Sequence, residues 1–365
     1  MIEYEHLASS NALWMAELQE AARRVIASGW YVLGQEVQAF EQDFAAYVGA
    51  KHCIGVGNGL DALVLALECL QLPPRSEVLV ASNTYIATIL AIVQAGHVPV
   101  LVEPNLQTYN IDPALLGAAL TRNTRAICVT HLYGKSCRMD AIGTFAREHG
   151  LRIVEDCAQS HGARIGATMT GRFGDLGCFS FYPTKNLGAL GDAGALVTDD
   201  DDLANRLRHL RNYGSREKYV HRYVGSNSRL DELQAALLCV KLRHLNTVTD
   251  HKRALASVYF DRLPGSVVLP ATAPDEYDVH HIFPVRHPER DALRAHLLAH
   301  GIKTEIHYPT PPHRQEAMQG ILAGDYPLAD EIHRTVLSLP ISFGHTPSDI
   351  AQVCDAVLAF GLERA

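Results

Sequence analysis

Seven short apolar runs punctuate the first 200 residues, at 53–56, 78–81, 99–102, 126–130, 152–155, 177–182 and 194–198. Each is too short for a helix and is bounded by polar or glycine-containing turns, the pattern of a buried strand. About 20 residues separate consecutive members of the first five, enough for a helical crossover, so these predict parallel strands with helices on both faces. Only residues 183–193 lie between the sixth run and the seventh. A crossover helix barely fits there, which predicts an antiparallel pair. The expected architecture is α/β, a mixed and mainly parallel sheet of seven strands flanked by helices.

Between the runs the periodicity changes to 3.6. Val37, Phe40, Phe44 and Tyr47 form one helical stripe, and Leu60, Leu63, Val64 and Leu67 another. A later helix is predicted from the Ser-x-x-Asp signal at Ser228 to Asp231, running through Leu233, Leu237 and Val240 and continuing or breaking near Asn246. After residue 263 Pro and His become frequent and short strands mix with helices. A division is therefore expected near residue 246, with a large α/β domain over 1–245 and a smaller α+β domain over 246–365.

The length of 365 residues agrees with more than one hydrophobic core. A net charge of −8 gives no basic footprint for nucleic acid, and no apolar stretch is long enough for a membrane span. The eight cysteines are scattered without CxxC spacing and several sit inside apolar runs, as small reduced core residues do. With no basic-then-apolar leader at the first residues, a cytoplasmic location is expected. No HExxH occurs. His296 and His300 lie one turn apart on a predicted surface helix, and no metal site is expected.

Ligands of parallel sheets bind at the carboxyl ends of the strands. There the sequence places Gly57-Asn58-Gly59-Leu60-Asp61 entering a helix, then Ser82-Asn83-Thr84-Tyr85, then Asp156 with Gln159, then Ser180 leading to Lys185. The glycine turn is no dinucleotide fingerprint: its third glycine position is Leu60, and the second strand ends in Ser82-Asn83 rather than an acid. It suits a single phosphate at a helix N-terminus. Among seven lysines only Lys185 follows a buried strand; Lys241 and Lys252 fall in helical segments expected to face solvent. A crowded lysine loses its proton readily and becomes a nucleophile. Lysine, acid, aromatic and monophosphate site together are what pyridoxal 5'-phosphate requires.

Three segments carry a resemblance: Ser180-Phe181-Tyr182-Pro183-Thr184-Lys185-Asn186-Leu187-Gly188, Glu155-Asp156-Cys157-Ala158-Gln159-Ser160-His161-Gly162, and Gly225 to Ala236. In this order they resemble the DegT/DnrJ/EryC1/StrS family of sugar aminotransferases, from Trp30 onward. The resemblance implies the aspartate-aminotransferase fold and pyridoxal phosphate. It implies that Lys185 is the Schiff-base lysine and proton shuttle, that Asp156 pairs with the pyridine nitrogen, that Gln159 bonds the ring oxygen and that Tyr85 stacks on the ring. Asn58, Gly59, Leu60 and Ser180 would hold the phosphate, and Asn227 would reach the phosphate site of a partner subunit in a homodimer. The family usually has Ser-Gly-Thr where this chain has Asn58-Gly59-Leu60, which removes one hydroxyl donor.

A related subgroup carries histidine in place of the lysine and dehydrates its substrate; Lys185 favours transamination. Asn212-Tyr213-Gly214-Ser215, Lys218-Tyr219 and His307-Tyr308-Pro309 look most like the branch acting at carbon 3 of dTDP-3-keto-6-deoxyhexoses, with L-glutamate as donor. Enzymes acting at carbon 4 are the alternative. Tyr31, Tyr213, Tyr219, His307 and Tyr308 are the expected sugar or nucleotide contacts.

Overall fold

The computed structural model describes residues 1–263 and 265–362. Its centre is a seven-stranded sheet: β1 (His52–Val56), β2 (Glu77–Ala81), β3 (Val98–Val102), β4 (Thr124–Thr130), β5 (Arg152–Asp156), β6 (Leu176–Ser180) and β7 (Gly194–Thr198). The spatial order is β1-β7-β6-β5-β4-β2-β3. β7 runs antiparallel to both neighbours, and the other pairings are parallel. All seven expected strands form. The sixth ends two residues early, at Ser180, because the chain turns as Lys185 N donates to Tyr182 O at 2.8 Å.

Both faces of the sheet are buried, which explains why its strands read as continuous apolar runs. Val78, Val80, Cys128 and Val154 pack on one face beneath helices α3 (Gly59–Cys69) and α4 (Ile86–Gln94). Leu79, Ile127, Val129 and Ile153 point the other way, and towards the β1 side Phe179 and Val197 meet α2 (Gln35–Val48), which follows α1 (Met15–Ser28). Seven of the eight free cysteines are buried, as expected of core thiols.

The later helix is longer than its sequence signal suggested. After α5 (Met139–His149) and α6 (Asp201–Leu210), α7 runs unbroken from Glu232 to Arg262. It starts after Asp231, and Ser228 is no cap: its hydroxyl accepts from Gly57 N (3.0 Å) and donates to Asp61 Oδ2 (2.5 Å). Glu232 does the capping, but of α2, accepting from the N–H groups of Gly34, Glu36 and Val37 at 2.7, 2.9 and 3.0 Å.

Residue 246 falls inside α7, but the side chains of the helix change core around it. Leu238, Leu242 and Leu245 belong to the sheet core; Leu255, Ala256 and Tyr259 belong to a separate core with Phe283, Leu337 and Val353. That second core is built on an antiparallel pair, Phe283–Arg286 with Val336–Leu339. Ile2 packs against it too, and Ile2 N donates to Gly301 O. The first residues thus lie on the C-terminal core rather than with the α/β half. No helix among the described residues is long and apolar enough to cross a membrane.

Candidate active site

The phosphate end of the site follows from strand register. Gly194 on β7 stands opposite both Val56 at the end of β1 and Ser180 at the end of β6. The Gly57-Asn58-Gly59 turn leaving β1 therefore lies against Ser180. Asn58 is the N-cap of α3, its Oδ1 accepting from Asp61 N at 2.8 Å. The N–H groups of Gly59 and Leu60 fall in the first turn, where an α-helix supplies no acceptor of its own. A Cβ at Gly59 would sit 2.5 Å from Ser180 Cβ, so only glycine lets the helix end and the serine share this cradle.

Asp156 closes β5 and is buried. Its Oδ2 accepts from Thr88 Oγ1 at 2.7 Å and its Oδ1 from Ala158 N at 3.1 Å. Thr88 sits in the first turn of α4, within a buried group of three hydroxyls completed by Thr84 and Thr130, the closest pair 2.9 Å apart. Because Thr88 must donate to the carboxylate, it can only accept from the other two.

Lys185 lies within electrostatic reach of Asp156. Burial pushes its amine down to about 8, and the attraction of Asp156 works in the opposite direction. Gln159 is fixed at both ends, accepting from Tyr133 N at 2.6 Å and donating from Nε2 to Tyr308 OH at 2.9 Å. The Tyr308 ring stands 5.0 Å from that of Tyr85, tilted by 34°. His307 bonds Ser338 Oγ at 2.9 Å through Nδ1, and burial, then Lys185, push its pKa down to about 4. His307 and Tyr308 thus come from the second core to the same strand-end edge.

Not every expected contact joins this group in one chain. Tyr31 is exposed, its hydroxyl donating to Ile26 O at 3.3 Å. Tyr213 and Tyr219 are exposed beneath Arg229 and Lys218, 5.4 and 5.3 Å from the ring centres. Asn227 is exposed and pairs with Asn212 through the backbone.

The structure also adds residues. His161 is wholly buried with neither ring nitrogen in a well-aligned hydrogen bond, and burial, then Lys185, push its pKa down to about 3, with the nearby Ser180 backbone working the other way. Lys252, expected to face solvent, is 3% exposed and donates to Asn186 Oδ1 (2.9 Å) and His281 O (3.1 Å). Lys241 is part-buried and donates to Gly188 O at 2.7 Å. Their helix turns inward at these positions because its other face already covers the sheet core, which a single-stripe reading of α7 does not capture.

The only group of described residues spaced as metal ligands is His131, Glu155 and Cys157. Glu155 is already committed, accepting from His131 Nε2 and from the backbone N–H groups of Gly171, Phe173 and Gly174. This is an internal brace.

These residues fit pyridoxal phosphate. The helix end with its glycine-dependent cradle matches a monophosphate. Asp156 uses one bond on each oxygen and keeps acceptor capacity for a ring nitrogen.

The model of the DegT/DnrJ/EryC1/StrS aminotransferase family matches residues 14–358. The dTDP-3-amino-3,6-dideoxy-alpha-D-galactopyranose transaminase of Aneurinibacillus thermoaerophilus is 47% identical over 99% of this chain and 100% of its own. The dTDP-3-amino-3,4,6-trideoxy-alpha-D-glucose transaminase of Streptomyces venezuelae is 49% identical over 94% of this chain and 91% of its own. The crystal structure of S. venezuelae DesV in complex with a ketimine intermediate superposes with a TM-score of 0.96, at 47% identity over 98% of each chain.

Proposed function

Since the chain belongs to the DegT/DnrJ/EryC1/StrS aminotransferase family and is a pyridoxal-phosphate-dependent transaminase, we propose that it moves the amino group of L-glutamate to carbon 3 of a dTDP-3-keto-6-deoxyhexose. The product is then a dTDP-3-amino-3,6-dideoxyhexose. The observation that carries this reading is the full-length similarity, at 47%, to a transaminase named for that product class.

When bound, the cofactor supplies an aldehyde to carry the amino group and a ring that accepts electrons. The residues of the chain do the rest. Gly59 and Leu60 N–H groups with Ser180 anchor the phosphate, so the ring is set before substrate arrives. Asp156, held by Thr88, keeps the ring nitrogen protonated. Lys185, with its pKa lowered to about 8, takes the proton from the α-carbon of glutamate and later delivers one to carbon 3 of the sugar. Tyr85, Tyr308 and Gln159 bound the ring.

The same reading includes a homodimer, with Asn227 reaching the partner's phosphate site and Tyr31, Tyr213, Tyr219, His307 and Tyr308 contacting sugar or nucleotide. Exposed Trp30 and Tyr31 beside Val32 support a covered surface there. It also includes a cytoplasmic enzyme, a large cofactor-binding domain over 1–245, whose first residues reach across to the core of a smaller one over 246–365, and a product destined for surface polysaccharide, such as lipopolysaccharide O-antigen, or for a natural product.

The test is incubation with L-glutamate and a panel of dTDP- and GDP-keto sugars, with the new nitrogen located by NMR. Nitrogen at carbon 3 of the dTDP sugar is expected. Nitrogen at carbon 4 would reassign the enzyme, and no transfer to any sugar would refute the proposal.

A further inference from the structure

A cavity of about 50 Å³ opens beside Lys185, on a side that none of the cofactor-bounding residues Asp156, Gln159, Tyr85 and Ser180 lines. That is several times the least space a water needs, and suits one carboxylate group. Its walls include Lys185, Lys241, Lys252, Glu5, Ser10 and Asn11. Trp14 and Phe343, stacked 5.3 Å apart, add an apolar side.

The wall is short of negative charge. Each ammonium has three N–H donors. Lys241 spends one on Gly188 O, leaving two; Lys252 spends two, on Asn186 Oδ1 and His281 O, leaving one. Every one of these acceptors is neutral. Burial pushes both lysines down to about 8; no carboxylate works against this at Lys241, while at Lys252 the attraction of Glu5 opposes it. Glu5 is the one acid of the wall, and burial pushes its carboxyl up, partly offset by Lys252. Ser10 Oγ is buried and has no partner. Two cations therefore face one acid across an apolar-backed cavity that holds unspent donors.

We propose that this cavity is the subsite for the distal carboxylate of a dicarboxylic amino donor, held by Lys241 and Lys252 with help from Ser10. The placement fits the reacting geometry, because Lys185 is shared between the cavity and the cofactor's place. The γ-carboxylate of glutamate hangs three bonds beyond the carbon whose proton Lys185 removes. This inference rests on the transaminase reading and specifies how that reaction chooses its donor.

The experiment uses the purified holoenzyme and reads the visible cofactor spectrum as amino acids are added without sugar. Lys241→Met and Lys252→Met should each raise the half-saturating concentration of L-glutamate at least tenfold. For Lys241→Met, which leaves the Lys252–Asn186 bond beside Lys185 in place, the response to L-norvaline, which lacks the distal carboxylate, should be unchanged, as should the half-saturating concentration of keto sugar in a separate turnover assay. Calorimetric binding of glutarate should weaken in parallel. Glu5→Gln should act oppositely and tighten both glutamate and glutarate, a change that mere structural damage does not produce. Equal losses for glutamate and norvaline, or glutarate binding indifferent to all three substitutions, would overturn the proposal. Were the transaminase reading itself wrong, no amino acid would change the wild-type spectrum, a distinct result.

Discussion

Replacing Thr88 by valine tests how Asp156 is held. The substitution keeps the shape of the side chain and deletes the hydroxyl that donates to Asp156 Oδ2 at 2.7 Å. Asp156 is 4% exposed, so water cannot take over the lost bond freely. Leaving a buried acceptor unpaired costs about 1–3 kcal/mol, with the upper part of that range apt for a charged one. The new methyl also meets the carboxylate oxygen at a distance set for a hydrogen bond. Thr84 and Thr130 lose little, since they retain each other at 2.9 Å. The expected loss is about 2–3 kcal/mol. It is read as a lower urea midpoint of the cofactor-free protein at unchanged slope, compared with wild type. Thr88→Ser keeps the donor and should lose less than half as much. Cofactor affinity should follow the same order, because an unheld Asp156 no longer faces the ring nitrogen at a fixed angle. Equal midpoints and equal cofactor affinities for the valine and serine variants would refute the reasoning.

Two further outcomes follow from the site. Lys185 titrates near 8, not at its ordinary 10.5, so capture of pyridoxal phosphate by cofactor-free enzyme should accelerate with pH and level off above about 8. In the same window the unfolded chain binds more protons than the folded one, so the penalty of burying this lysine is full below pH 8 and fades as pH climbs from 8 to 10.5. A rate still rising steeply at pH 10 would contradict the burial argument. Gly59→Ala puts a methyl 2.5 Å from Ser180 Cβ, and the shift it forces should weaken cofactor binding about tenfold or more, equivalent to roughly 1.4 kcal/mol. Equilibrium dialysis of the cofactor measures it, and unchanged affinity would mean the helix end is not the phosphate cradle.

Much of this site was legible in the chain because its parts sit at strand ends. A strand buried on both faces declares itself as an apolar run, and whatever follows it lies at the sheet edge. That logic reached Asp156, Ser180, Lys185 and Gly59 without coordinates. It could not reach Thr88, which meets Asp156 because the first turn of α4 lies against the carboxyl end of β5. Nor could it reach Lys252 and Lys241: a helix that serves two cores has no single polar face, so the two lysines looked solvated. Ser228 failed as a cap for a related reason. Its hydroxyl was claimed by Gly57 and Asp61, partners 171 and 167 residues away. Tyr31, Tyr213, Tyr219 and Asn227 were named by likeness alone, and in a single chain they remain apart from Lys185.

The long helix α7 behaves as a rod anchored at two stations. At its first residue, Glu232 grips the start of α2; 20 residues on, Lys252 grips Asn186, the neighbour of the reactive lysine. At 1.5 Å per residue those stations stand about 30 Å apart. Beyond them the same rod enters the C-terminal core that carries His307 and Tyr308. A tilt of that core therefore cannot leave the catalytic loop untouched: it pulls on residue 186. Through this one bond, the packing of α7 in the C-terminal core reaches the residue next to Lys185.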